Sequence, residues 1–251
     1  MEAYPSGARS MGLAHSHVTL DDGWSVFNNV GAMGRLPASQ AVFGYDHRLG
    51  LDELTTLAAG AILAMDIGVL GFGLSSYGGE LFNQKCVGVG FSNKLGIASV
   101  GVKVNYMQTN IEGHGRLANP VVEFGGVAEL GPKILFGAHI YNINRAKLGR
   151  NSDDYLPTLI KAGVSLRSFE KLLINGEVEK EILLPPKLKM GIEYNILDRC
   201  WARAGFQTEP NNLYFGFGFK PGRFAIDYAL SQNYRLGYTH HFSFNYVLGK
   251  D

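Results

Sequence analysis

Seven histidines and two cysteines are the side chains of this chain best suited to hold a metal or act as a nucleophile, and their spacing serves neither purpose. His15 and His17 lie two apart and would share a face if that stretch were extended, yet no Cys, Asp or third His stands at zinc-like spacing from them. His240 and His241 are adjacent, and adjacent strand residues point to opposite faces, so that pair does not chelate one ion. Cys86 and Cys200 are too few for a disulfide framework and read as small strand residues. Nucleophilic catalysis needs Ser, His and Asp side chains brought together. All three types occur, but no Gly-x-Ser-x-Gly elbow, Walker loop, His-Glu-x-x-His or dinucleotide fingerprint organises them. The expectation is a non-enzymatic protein with no catalytic residue, no metal ligand and no cofactor.

Charge narrows the partners. Twenty-three basic residues face 22 acidic ones, a net charge of +1, so no global field attracts nucleic acid. Only 18% of the 251 residues are charged, below the roughly 25% of soluble domains. With 33 Gly, 15 Phe and 12 Tyr against 9 Pro, the composition suits many strands joined by tight turns. A membrane-spanning helix is excluded, since the nearest candidate, residues 57–74, is interrupted by Asp66 and several glycines. The start, Met1-Glu2-Ala3-Tyr4-Pro5, has neither the basic region nor the apolar core of a signal peptide, so the expectation is either a mature chain, with an added Met, or a protein that is not exported.

From Ser39 onward the chain alternates with period two. Leu188, Met190, Ile192, Tyr194 and Ile196 interleave with Lys187, Lys189, Gly191, Glu193 and Asn195. Leu213, Phe215, Phe217 and Phe219 interleave with Tyr214, Gly216, Gly218 and Lys220, and the last segment puts Tyr238, His240, Phe242 and Phe244 on one face. Strands are expected near 39–48, 53–65, 68–78, 81–93, 96–110, 118–129, 132–144, 156–168, 171–181, 186–197, 199–208, 212–220, 223–232 and 235–247, each near the ~9–11 residues that a tilted strand needs to cross a bilayer. The longest gaps, near 110–117 and 145–155, suit extracellular loops.

The second face decides the class. A soluble sandwich with one wet face would carry many Lys, Glu and Thr there and is the competing reading. Here the rows are Gly, Ala, Ser and Asn with scattered charges of both signs: Lys103, Glu123, Lys161, Arg167, Glu193, Arg203 and Asp227. Such rows fit a crowded lumen in which opposite charges pair. The expected fold class is therefore all-β, a transmembrane antiparallel β-barrel of about 14 strands. Tyr45, Tyr77, Tyr106, Tyr194, Tyr214, Tyr228, Tyr238 and Tyr246 are expected to form interfacial girdles. Leu57, Leu63, Leu135 and Leu173 could line an apolar lumenal pocket.

Residues 1–38 do not alternate, which divides the chain into an N-terminal plug or helical segment (1–38) and a barrel (39–251). Asp21-Asp22 can cap a short helix from Gly23, with Trp24 and Phe27 on one side and Gly31 and Gly34 ending it. This stretch resembles the start of the PorV/PorQ-type proteins of Bacteroidetes, relatives of the FadL-like outer-membrane barrels. In that family a "GAR-x-x-GMGGA" element leads through "A-L-x-D-D" to "NPAGL". Gly7, Ala8, Arg9, Gly12, Asp21, Asp22, Asn28 and Gly31 fall at matching positions, while Asn28-Asn29-Val30-Gly31 departs from Asn-Pro-Ala-Gly. The resemblance implies a fourteen-stranded barrel in the bacterial outer membrane, with this segment packed inside. It also implies an accessory role beside a type IX secretion system, with lipid and other outer-membrane or secretion proteins as partners. The alternative is a FadL-like channel for hydrophobic small molecules, which requires an apolar pocket and a break in the barrel wall.

Overall fold

In a computed structural model, which describes residues 5–113, 115–147, 155–233 and 235–249, the chain closes into an antiparallel β-barrel. Its fourteen strands among the described residues begin with β1 (Ser39–Arg48), β2 (Thr56–Met65), β3 (Gly68–Gly78), β4 (Phe82–Leu95) and β5 (Ala98–Ile111). They continue with β6 (Gly115–Gly131), β7 (Ile134–Tyr141), β8 (Leu159–Phe169), β9 (Leu172–Glu181) and β10 (Lys187–Leu197). The last four are β11 (Cys200–Gln207), β12 (Asn212–Phe219), β13 (Phe224–Asn233) and β14 (Gly237–Leu248). Each strand pairs with its sequence neighbours, and β1 pairs with β14 from Ser39↔Leu248 to Arg48↔Thr239, so no edge remains unpaired.

The strands form because the solvent around them is two-faced. Outward rows are apolar along their length. Val100, Val102, Val104 and Tyr106 on β5 are 37–56% exposed, and Leu188, Met190, Ile192 and Tyr194 on β10 are equally bare. A soluble protein rarely exposes more than a few hundred Å² of contiguous apolar surface, whereas this band surrounds the barrel. Only lipid accommodates it, and in lipid every backbone group must be bonded within the protein, which closure achieves. The barrel spans a membrane.

The two rims differ. At one, five connections have two residues (66–67, 96–97, 132–133, 170–171 and 198–199) and a sixth has four (220–223). The other rim carries the longer connections. Three expected boundaries shift there. Residues 53–55 lie outside β2, because Asp52–Leu54 form one 3-10 turn. The expected 110–117 loop is mostly hairpin, since β6 begins at Gly115 opposite Ile111. The expected strand end at 142–144 is a turn: Asn142 takes a left-handed φ of 58° and its amide donates to the Leu156 carbonyl at 2.8 Å. Part of the expected 145–155 loop, residues 148–154, lies outside the described residues.

Residues 5–38 run inside the barrel. Helix α1 (Ala8–Gly12) is followed by a reversal through Ala14 and His15, both at left-handed φ, then helix α2 (Ser25–Asn28) and a 3-10 helix over Val30–Arg35. The single helix expected from Gly23 is thus broken at Asn29, which is extended. Gly31 and Gly34 lie within the 3-10 helix rather than ending it. Gly31 is there for close approach: a Cβ on it would collide with the Gly125 carbonyl and Gly126 of the wall.

Candidate functional site: the lumen and its N-terminal segment

The N-terminal segment meets the wall in two chemically different ways. Residues 24–36 pack by apolar contact. Val26, Val30, Met33 and Leu36 join Ile62 and Val69 in one buried cluster, Trp24 packs with Val42 and Ala58, and Ala32 packs with Val127 and Leu135. Residues 7–22 are held mainly by hydrogen bonds and ion pairs to β8–β14. The Ala8 N–H donates to Ser243 Oγ at 3.0 Å, and the His17 and Val18 N–H groups both donate to Glu177 Oε2 at 2.8 Å.

The motif residues each have a place in this arrangement. Gly7, at φ 78°, lies against the indole of Trp24, and Gly12 meets Gly216 and Arg203 of the wall. Arg9 bridges Glu193 (2.7 Å) and Asp22 (2.9 Å). Burial works against its charge, but the two carboxylates outweigh that cost and hold the guanidinium pKa well above its ordinary value. Asp22 also accepts the Trp24 N–H at 2.9 Å, just ahead of α2. Asp21 lies 3.4 Å from both Arg35 and Arg167. Asn28 Nδ2 donates to the Ser6 carbonyl at 3.0 Å. Asn29 donates to the Val18 carbonyl at 2.6 Å while its Oδ1 accepts the Gly31 N–H, tying both halves of the segment together.

The wall charges form three clusters. Arg203 donates to Glu193 and Asp227, each at 2.6 Å, and with Arg9 and Asp22 makes a five-membered group. Lys103 lies 3.3 Å from Glu123, which also takes His139 at 3.0 Å and the Asn105 amide. Lys161 lies 3.6 Å from Glu179 and 3.1 Å from His17. Arg167 sits apart from these at the short-turn rim, half-exposed beside Asp21.

Several lumenal charges were not among the sequence candidates. Glu179 receives Lys187 (3.5 Å) and the fully buried Lys189 (2.7 Å), and Glu177 lies 3.6 Å from Lys189. Asp46 pairs with His241 at 2.8 Å, and Arg35 pairs with Glu129. The alternation of Asn175, Glu177 and Glu179 on β9 is the signal that marks this row. Two other expectations are corrected. Leu57 and Leu63 point outward into the lipid-facing band, because β2 turns its even-numbered residues inward; Leu135 is buried inside and Leu173 lines a lumenal cavity. Tyr77 and Tyr214 also point inward and are buried, so they are not girdle residues.

The segment divides the free space. A cavity of about 370 Å³ opens at the long-loop rim, with Met11, His15, Lys187 and Tyr214 in its lining. Cavities of about 530 and 210 Å³ open at the short-turn rim and meet around Arg9, Glu193 and Trp201. No residue lines both the long-loop cavity and the short-turn cavities. β7 stops at Tyr141, and beyond it the chain stays on β6: Ile143 N–H donates to the Val122 carbonyl at 3.0 Å, and Asn144 accepts the Val122 N–H at 3.0 Å. At that place lies an apolar cluster of Met107, Val121, Tyr141, Leu156 and Leu159.

No family model and no curated protein matches the sequence. Among solved structures, the chain is similar to the Ralstonia pickettii toluene transporter TbuX, with a TM-score of 0.81 at 12% identity over 99% of this chain and 100% of that one. It is also similar to the CymD monoaromatic hydrocarbon channel (0.77, 11%, 98% of each chain) and to a Pseudomonas aeruginosa FadL homologue (0.68, 13%, 96% and 98%). At these identities the likeness concerns architecture, and the chain has the fold of the FadL-type outer-membrane barrels.

Proposed function

We propose that the protein is a non-enzymatic channel of the bacterial outer membrane that admits small hydrophobic molecules, closed in this conformation by residues 5–38. One observation carries the reading: a barrel similar in architecture to hydrocarbon channels has cavities at both rims, and residues 5–38, not a strand of the wall, lie between them. The short-turn rim faces the periplasm, as short turns do in such barrels. The end of β7 at Tyr141, beside an apolar cluster, is where this reading puts a sideways route for a hydrophobic molecule at the opposite end. No cofactor and no nucleic acid enters this reading, and the outer surface has lipid as its partner.

Uptake of labelled toluene by cells with an intact lipopolysaccharide leaflet tests it. Expression of the protein should raise the initial rate over an empty-vector strain, and an unchanged rate would sink the proposal.

A second reading, an accessory subunit of a type IX secretion system like the PorV-type proteins, draws on the N-terminal motif around Arg9 and on the filled lumen. Association with a secretion translocon from the host, without any gain in toluene uptake, would favour that reading over the channel.

A further inference from the structure

No motif in the sequence brings serine, histidine and aspartate together, yet closure of the barrel does so at its seam. Asp46 of β1 stands directly opposite His241 of β14, whose partner on β13 is Ala229. Ser231 is the next inward residue of β13 towards the long-loop rim. Asp46 Oδ1 lies 2.8 Å from His241 Nδ1, and His241 Nε2 lies 3.4 Å from Ser231 Oγ. An ionised carboxylate only accepts, so Nδ1 carries the proton and donates it to Asp46. That tautomer turns the Nε2 lone pair towards the Ser231 hydroxyl, which donates to it. Catalytic bonds of this kind run long before a substrate is seated and tighten with it.

The three residues are ordered as a reaction would need them. Asp46 is buried behind His241, while His241 and Ser231 both line the cavity of about 370 Å³ at the long-loop rim. One layer nearer that rim, Arg48, Thr239 and Ser231 stand opposite one another across β1, β14 and β13, and all three line the same cavity. The Thr239 hydroxyl and the Arg48 guanidinium are thus neighbours of the serine, donors of the kind that stabilise a developing oxyanion. Among the described residues, no carboxylate in that lining opposes such a charge. Met11, Leu54 and Leu236 give the cavity apolar patches for hydrocarbon arms.

From this arrangement we propose that Asp46, His241 and Ser231 form a nucleophilic relay that hydrolyses short-chain carboxylic esters. Ser231 Oγ bonds to the ester carbonyl carbon, and its proton passes to His241 Nε2. As the bond to the alcohol oxygen breaks, that proton goes to the leaving alkoxide and an acyl-serine remains. Water, deprotonated by the same nitrogen, attacks the acyl-serine; the carboxylic acid leaves and the serine regains its proton. The sum is ester plus water giving acid plus alcohol. Asp46 is the positioning residue that holds the imidazole and its tautomer. The inference goes beyond the channel reading, which treats the barrel as non-enzymatic, and it requires no transport.

The full chain in a neutral detergent, treated with a fluorophosphonate that bonds to activated serine oxygens and expels fluoride, should carry the adduct on Ser231 when mapped by mass spectrometry. The same preparation should hydrolyse para-nitrophenyl butyrate with saturation, and Ser231→Ala should abolish both signals. Asp46→Asn should lower kcat at least about a hundredfold with KM little changed, since it presents the wrong imidazole tautomer to the serine. An Asp46 that only braced the seam would leave kcat of the folded protein unaltered, and heat-modifiable mobility on SDS gels counts the folded fraction. If Ser231→Ala does not fold, the position of the adduct in the wild type decides. No adduct on Ser231, hydrolysis persisting in Ser231→Ala, or an unchanged kcat in Asp46→Asn would each overturn the proposal. Toluene has no ester bond and its uptake is read in cells, so loss of the relay leaves the channel reading standing, and loss of uptake leaves the relay standing.

Discussion

Arg203→Met is the sharpest probe of the lumenal charge network. Its guanidinium, 4% exposed, lies 2.6 Å from both Glu193 and Asp227. Met matches the stem but removes the charge. Glu193 keeps Arg9 at 2.7 Å, whereas Asp227, which is buried, loses the cation that neutralises it. Breaking a buried pair by removing one partner costs about 3–5 kcal/mol. The cavity of about 210 Å³ beside Asp227 has room for water to resolvate the orphaned carboxylate, which places this case at the lower end, about 3 kcal/mol. Adding Asp227→Asn should recover about 2 kcal/mol, because an amide costs far less than an unpaired charge to leave buried. Equilibrium urea unfolding in detergent micelles, followed by tryptophan fluorescence, measures all three proteins. A loss under about 1 kcal/mol in Arg203→Met, or no recovery in the double variant, would refute the reasoning that the network is desolvated and coupled.

Gly31→Ala should lift the N-terminal segment off Gly125 and Gly126, and single-channel recordings should show more frequent openings than wild type. Trp24→Ala should cost about 3–5 kcal/mol in the same unfolding assay, since the ring is buried against Val42 and Ala58 and the space left by it is walled by backbone. Val104→Arg puts a charge on the outward row of β5 and should destabilise the barrel in lipid by about 2–4 kcal/mol if that row lies near the bilayer midplane. The same change on a soluble sandwich surface would be nearly silent, so a loss below about 0.5 kcal/mol would count against the membrane.

Much of the barrel was legible because lipid imposes one rule on every outward position. Phe215, Phe217 and Phe219 must be apolar whatever their neighbours are, so period two survives in the sequence and most strand ends follow to within a few residues. The rule fails where both rows are small or apolar. Residues 57–63 of β2 read Leu-Ala-Ala-Gly-Ala-Ile-Leu, and nothing in that run says which row faces lipid; closure of β2 against β1 and β3 sets it, and turns Leu57 and Leu63 outward. The same limit applies to Tyr77 and Tyr214, whose amphipathic rings suit an interface and a polar lumen equally well.

Composition and local periodicity were therefore enough for the class of fold and the approximate strand count, because both follow from the apolar rows that lipid demands. The pairing inside the lumen was decided only by the tertiary structure. Asp46 meets His241 across 195 positions and Arg9 meets Glu193 across 184, and both contacts depend on the register of every strand and on the closure of β1 with β14. The path of the N-terminal segment was settled in the same way. Asp21-Asp22 and Gly31 mark a turn and a close approach, but the wall glycines that admit Gly31, and the Arg167 that meets Asp21, come from strands distant in sequence. Charge complementarity in a closed barrel is a property of the whole ring, and no window of the chain contains it.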